Sequence, residues 1–128
     1  MSDPLLIDTD VLIDYLRARP EAITYLEGLT APLLIASITI AELYAGVREG
    51  TERITLDRFI QAFVVAHLDE TIAMKGGLYR RDYAKSHSVG LADAVIAATA
   101  QQYNATLVTL NRKHYPMLTT IIVPYKKQ

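Results

Sequence analysis

Four carboxylates stand at positions where they could do chemistry. Asp8 closes the apolar run Leu5-Leu6-Ile7, and Asp10 follows two positions later. Glu42 comes soon after a second apolar run, Pro32-Leu33-Leu34-Ile35-Ala36. Asp93 opens the alanine-rich segment Leu91-Ala92-Asp93-Ala94-Val95-Ile96-Ala97-Ala98-Thr99-Ala100. Apolar runs this short read as buried strands, and Asp8, Thr9 and Asp10 are residue types that cap helices. Asp8 is therefore expected at a strand-to-helix turn, with Glu42 and Asp93 in the first turns of later helices. In open α/β sheets the carboxyl edge of the strands is where ligands bind. Asp8, Glu42 and Asp93 meeting there would repel one another unless a cation shared them. Mg²⁺ or Mn²⁺ takes oxygen ligands and keeps several waters. Such an ion polarises a phosphodiester and lowers the pKa of a bound water, which is what hydrolysis needs.

Each acid also has a purely structural reading. Asp8 could be a turn or cap residue. Asp10 could cap the helix, reach a metal or face solvent. Glu42 could close a capping box begun by Thr39, and Asp93 could complement a helix dipole. Asp14 is expected in solvent, paired with Arg17 at i+3. His67, His87 and His114 lack metal-ligand spacing. No serine sits in a nucleophile elbow and no glycine-rich phosphate loop is present.

The elements that must position these acids follow from periodicity. Val11, Leu12, Tyr15 and Leu16 mark one helical face, and Pro20 opens a second helix with Ile23, Leu26 and Leu29 inward. After the 32–36 strand, Ile40, Leu43, Tyr44 and Val47 recur at helical spacing. Residues 51–63 read as a helix with Ile54, Leu56, Phe59 and Phe63 inward. Residues 64–68 read as a third strand, followed by Asp69 as a cap. A long helix is expected over 70–87 with Ile72, Tyr79 and Tyr83 on one face, although Gly76-Gly77 weakens it by about 1 kcal/mol per glycine. The alanine-rich helix presents Ala92, Val95, Ile96, Thr99, Ala100 and Tyr103 on one face, and Asn104 stops it. Residues 106–109 and 120–123 complete the strands. The alternation predicts an α/β fold with a mostly parallel five-stranded sheet and helices on both faces.

The 128 residues are expected to form one domain spanning 1–128. Cysteine is absent, which excludes a disulfide framework and thiol catalysis. The net charge of −1 conceals an asymmetry, since residues 1–70 carry 12 acidic and 5 basic side chains and residues 71–128 carry 2 and 8. An acidic site beside a basic surface suits a polyanionic substrate; two differently solvated faces would give the same count. No apolar run approaches the roughly 18 residues of a membrane span, and Met-Ser-Asp-Pro lacks the pattern of a secretion signal. A cytoplasmic location without membrane attachment is expected.

With these residues in view, the chain resembles the PIN-domain family, specifically its VapC-type toxin ribonucleases. Ile7-Asp8-Thr9-Asp10-Val11-Leu12-Ile13-Asp14 is similar to the family's first motif. Ala36-Ser37-Ile38-Thr39-Ile40-Ala41-Glu42-Leu43-Tyr44-Ala45-Gly46 resembles the second, and Gly90-Leu91-Ala92-Asp93-Ala94-Val95-Ile96-Ala97-Ala98-Thr99-Ala100 the third. Leu107-Val108-Thr109-Leu110-Asn111, followed by His114-Tyr115, resembles the fourth. The resemblance implies a PIN-like fold and a metal-dependent endoribonuclease, the toxin of a type II toxin–antitoxin system. Asp8, Glu42 and Asp93 would bind Mg²⁺ or Mn²⁺, and a metal-activated water would leave a 5′-phosphate product. The partners implied are RNA, a cognate antitoxin whose C-terminal segment blocks the site, and a second copy in a homodimer. Many relatives carry a further acid where this chain has His114, so one metal is expected rather than two. Asn111, Thr109 and Asp10 are possible helpers, and Arg112 and Lys113 are candidate RNA contacts.

Three other readings stay open on sequence alone. One is a nuclease of the same kind that processes RNA and is not a toxin. Another is a haloacid-dehalogenase-type phosphatase using Asp8 and Asp10. The last is a non-enzymatic module, either receiver-like with Asp69 as acceptor or a PIN-like fold that only binds a partner.

Overall fold

The computed structural model describes residues 3–126. In chain order these form β1 (Leu5–Ile7), α1 (Thr9–Leu16), α2 (Pro20–Glu27), β2 (Leu33–Ala36), α3 (Ser37–Ala45) and α4 (Thr51–Ile60). They continue with β3 (Val64–Ala66), α5 (Glu70–His87), α6 (Leu91–Gln102), β4 (Thr106–Val108), a 3₁₀ turn (Arg112–His114) and β5 (Ile121–Ile122). Among the described residues the sheet has five strands in the order β3-β2-β1-β4-β5, and every neighbouring pair is parallel. β3, β4 and β5 are shorter than their apolar runs suggest. No described helix is long and apolar enough to cross a membrane.

Alternation along the strands divides the core. Leu5, Ile7, Ile35 and Val108 face Val11, Leu12, Leu26, Leu43 and Leu56, contributed by α1 to α4. Leu6, Leu34, Ala36, Ala66 and Leu107 face the other way, onto Ile96, Ala97 and Ala100 of α6 and onto Tyr115. Strands covered on both sides need continuous apolar sequence, which is what these runs supply. α6 is itself sandwiched between the sheet and α5, so Ala94 through Ala100 are all buried. Its alanines let two layers approach at once. Asn104, with φ 50°, turns the chain just after this helix, a left-handed position that asparagine tolerates.

The α5–α6 contact gives Gly76 a role that helix propensity alone does not show. α5 runs unbroken through both. A β-carbon at Gly76 would lie 2.9 Å from Val95 Cγ2 and 3.1 Å from Val95 Cα. Glycine there is what allows the two helices to touch.

Three expectations fail because tertiary packing decides them. Ile54 is exposed and Tyr103 lies at the surface. Asp14 is not solvated and not joined to Arg17. It is 2 % exposed, its Oδ2 accepts the Tyr125 hydroxyl at 2.9 Å, and Arg19 Nε lies 3.6 Å away. The segment after β5 thus folds back over α1.

A paired substitution tests the helix contact. Gly76→Ala should lower stability by about 1–2 kcal/mol, overpacking outweighing the gain in helix propensity. Gly77→Ala, where a β-carbon meets nothing within 4 Å, should raise it by about 0.5–1 kcal/mol. Urea unfolding of both variants measures the contrast.

Candidate active site

The sheet order reverses at β1. The chain builds outward through β2 and β3, then returns to place β4 on the other side of β1. That reversal leaves a crevice beyond the carboxyl ends of β1 and β4. Ile7 and Val108 are register partners, so the next residues, Asp8 and Thr109, open into the crevice together. The Asp8 N–H donates to the Val108 carbonyl at 2.9 Å, which fixes the turn.

Asp8 caps α1 and is 5 % exposed. Its Oδ1 accepts the Thr9 N–H at 2.8 Å. Its Oδ2 accepts the Thr109 hydroxyl and the Tyr115 hydroxyl, each at 2.8 Å. The Tyr115 hydroxyl also lies 3.2 Å from Asp93 Oδ1, and His114 Nδ1 lies 3.2 Å from Asp93 Oδ2. On the other side the Thr9 hydroxyl donates to Glu42 Oε1 at 2.7 Å and stands 3.0 Å from the buried Thr39 hydroxyl. A line of polar contacts therefore runs Glu42–Thr9–Asp8–Tyr115–Asp93–His114.

The three acids come to one edge of the sheet but do not touch. Thr9 separates Glu42 from Asp8, and the Tyr115 hydroxyl separates Asp8 from Asp93. Among the described residues no three His, Asp or Glu side chains gather closely enough to enclose an ion between them. The capping box expected at Thr39 and Glu42 does not form. α3 starts three residues earlier, at Ser37 with Ala36 as its N-cap, and has no side-chain cap. That puts Thr39 inside the helix facing α1 and gives Glu42 to Thr9.

Asp10 is a brace. Its Oδ1 accepts the Val11 N–H at 2.8 Å and its Oδ2 accepts the Leu110 N–H at 3.1 Å, joining α1 to the segment after β4. Thr109 donates to Asp8 while accepting the Asn111 N–H at 3.0 Å. Asn111, Arg112 and Lys113 are exposed on the turn beside the site, and Arg112 Nη2 donates to the Ile121 carbonyl at 3.4 Å. Asp69, the phosphoacceptor of a receiver-like reading, instead caps α5 through the Ile72 N–H at 2.8 Å.

Tyr115, Thr9 and Thr39 have no assigned role on sequence alone. Tyr115 belongs to the fourth motif without a function of its own, and the threonines look like cap residues. A signal does exist for Tyr115, a tyrosine following closely on a strand-end threonine in a chain with acids at the facing edge.

The electrostatics are those of a site short of positive charge. Burial, and then the neighbouring Asp10, push the Asp8 carboxyl from the ordinary 3.8 up to about 7. Donation from Thr109, Tyr115 and the Thr9 N–H opposes that rise. The Tyr115 hydroxyl is held far above its usual range by burial and by the charges of Asp8 and Asp93. A hard divalent cation suits this set of oxygen donors, since magnesium commonly binds through one or two carboxylates and retains waters. The residues present fit such an ion.

The chain is also similar to known proteins. The PIN domain family matches residues 5–117. Ribonuclease VapC10 of Mycobacterium tuberculosis is 38% identical over 124 residues, covering 94% of this chain and 92% of the relative. Ribonuclease VapC19 of the same organism is 38% identical over 124 residues, covering 94% and 98%. A toxin-antitoxin complex from Klebsiella pneumoniae contains a chain that superposes with a TM-score of 0.83 at 28% identity, covering 96% of this chain and 99% of that one.

Asp8 gives a pH prediction for the metal-free protein. Its unfolded carboxyl, near 3.8, loses its proton before the folded one, near 7. Between those values the folded chain holds the extra proton, so rising pH costs stability at this group. Asp8→Asn should therefore gain stability relative to wild type as pH rises from 5 to 8, on the order of a few kcal/mol. Urea midpoints at both pH values, in chelator, measure it; parallel shifts in the two proteins would contradict it.

Proposed function

The chain belongs to the PIN-domain family, and we propose that it is a toxin-type endoribonuclease that hydrolyses RNA phosphodiesters with a divalent cation, Mg²⁺ or Mn²⁺. Asp8 and Asp93 hold the ion, and Glu42 acts beside them through Thr9. When bound, the ion supplies a Lewis acid for the phosphodiester and lowers the pKa of a water it carries. The protein's own residues do the positioning. Thr109 and the Thr9 N–H fix the Asp8 carboxylate, and Asp10 anchors the segment after β4 to α1. Arg112 and Lys113, exposed on the 3₁₀ turn, offer charge to RNA phosphates, and Asn111 lies beside them. The observation that carries this reading is the convergence of Asp8 and Asp93 on one hydroxyl at the switch point of the sheet.

A phosphatase that used Asp8 as nucleophile and Asp10 as acid is poorly served here. Both Asp10 oxygens accept backbone N–H groups, and both Asp8 oxygens are occupied.

The partner of such a toxin is a cognate antitoxin. A groove of about 540 Å³ runs along α1, α3 and α4 and has Glu42 in its wall. Leu16, Leu43, Val47 and Leu56 line it together with Arg17 and Arg48. That mix suits an amphipathic antitoxin segment, whose seating would cover Glu42. Met74 and Leu78, exposed one turn apart on α5, offer an apolar face for a homodimer.

Two experiments test the assignment. With Mg²⁺ or Mn²⁺ the wild type should cleave RNA, and Asp8→Asn and Asp93→Asn should each lose about a hundredfold or more. Equal rates for wild type and Asp8→Asn would end the reading. Replacing Arg112 and Lys113 together by alanine should raise KM more than it lowers kcat. It should also flatten the salt dependence of binding by about 1–2 in log–log slope.

A further inference from the structure

Tyr115 is fully buried, with 1 % of its surface exposed, yet its hydroxyl faces two acids. It lies 2.8 Å from Asp8 Oδ2 and 3.2 Å from Asp93 Oδ1. A phenol carries one proton, so it donates to one of these oxygens at a time. The shorter contact assigns that proton to Asp8. Asp8 Oδ2 also accepts the Thr109 hydroxyl at 2.8 Å. Two donors fill the two lone pairs of that oxygen.

A cation shared by Asp8 and Asp93 would take an oxygen of each, and the two oxygens that approach a common point are those beside the Tyr115 hydroxyl. One hydroxyl has to leave Oδ2. Thr109 is fixed on two sides, since its hydroxyl accepts the Asn111 N–H at 3.0 Å and its own N–H donates to the Ile122 carbonyl at 3.0 Å. The Tyr115 proton needs only a rotation about the C–O bond to withdraw. Taking Asp8 and Asp93 as the cation's carboxylates, we infer that the Tyr115 hydroxyl is a placeholder for the ion. It bridges the two acids in the metal-free chain and gives up Asp8 Oδ2 when the cation enters. Tyr115 is then a positioning residue that weakens cation binding while keeping the buried carboxylate satisfied without metal. The ion binds only by displacing a hydrogen bond to charge, which is stronger than an ordinary one.

Calorimetric titration of the chelator-treated full chain with Mn²⁺ tests this. Tyr115→Phe keeps the ring and removes the hydroxyl. It should bind Mn²⁺ roughly tenfold more tightly than wild type, while its metal-free thermal midpoint falls. Equal or weaker affinity would overturn the inference. Asp8→Asn separates the two levels. If it binds Mn²⁺ as wild type does, the metal-site reading itself fails and takes this inference with it. If it loses binding while Tyr115→Phe matches wild type, only the placeholder fails. A second readout needs no Tyr115 variant. In wild type labelled at tyrosine Cζ, the resonance that Asp8→Asn perturbs should shift on saturation with Mg²⁺. A resonance that stays fixed on saturation would overturn the inference.

Discussion

Asp8 is a carboxylate set where water scarcely reaches it, at the end of the central strand. A charge in that position is tolerated only if its oxygens are hydrogen-bonded. The donors come from Thr9 next to it, Thr109 a hundred and one residues on, and Tyr115 a hundred and seven residues on. The rest of the site follows from that requirement. Thr9 must turn its N–H to Asp8, and its hydroxyl is then directed to Glu42. Thr109 must stand directly across from Asp8, which the parallel register of β1 and β4 ensures. Tyr115 must reach in from beyond the 3₁₀ turn, and doing so puts its hydroxyl against Asp93.

The strands explain why chemistry gathers at this edge. They are two to four residues long, and nearly every side chain in the three central ones is consumed by one core or the other. The residue just past each central strand is the first one available for polar work. Asp8 follows β1, Thr109 follows β4, and Ser37 follows β2, where its hydroxyl accepts the Leu68 N–H at 3.0 Å. Burial on both faces thus pushes function to the carboxyl ends, and the crossover to β4 brings two of those ends side by side.

Much of this architecture is legible in the amino-acid sequence. Apolar runs locate the strands, helical spacing locates the helices, and cap-type residues after the runs place the acids at the right edge. What escapes such reading is physically of one kind. Hydroxyl residues carry no periodic signature, so Thr9, Thr39 and Tyr115 look like caps or core until their partners are known. Asp14 reads as a surface residue because Tyr125, which covers it, lies at the far end of the described chain. Gly76 reads as a weak point because propensity describes a helix alone, whereas Val95 of the neighbouring helix decides what fits there. Long-range partners settle each of these positions, and local pattern does not contain them.

The remote origin of the Asp8 donors also bears on the order of synthesis. A chain made from its amino end releases β1, β2 and β3 before Thr109 and Tyr115 exist outside the ribosome. During that interval Asp8 lacks two of its three donors, and β1 lacks its β4 neighbour. The carboxylate is then hydrated, and the crevice has only one wall. A ribonuclease built this way is still unassembled while its own message is being read. The candidate site around Asp8 is completed only when the segment carrying Tyr115 has emerged and folded back.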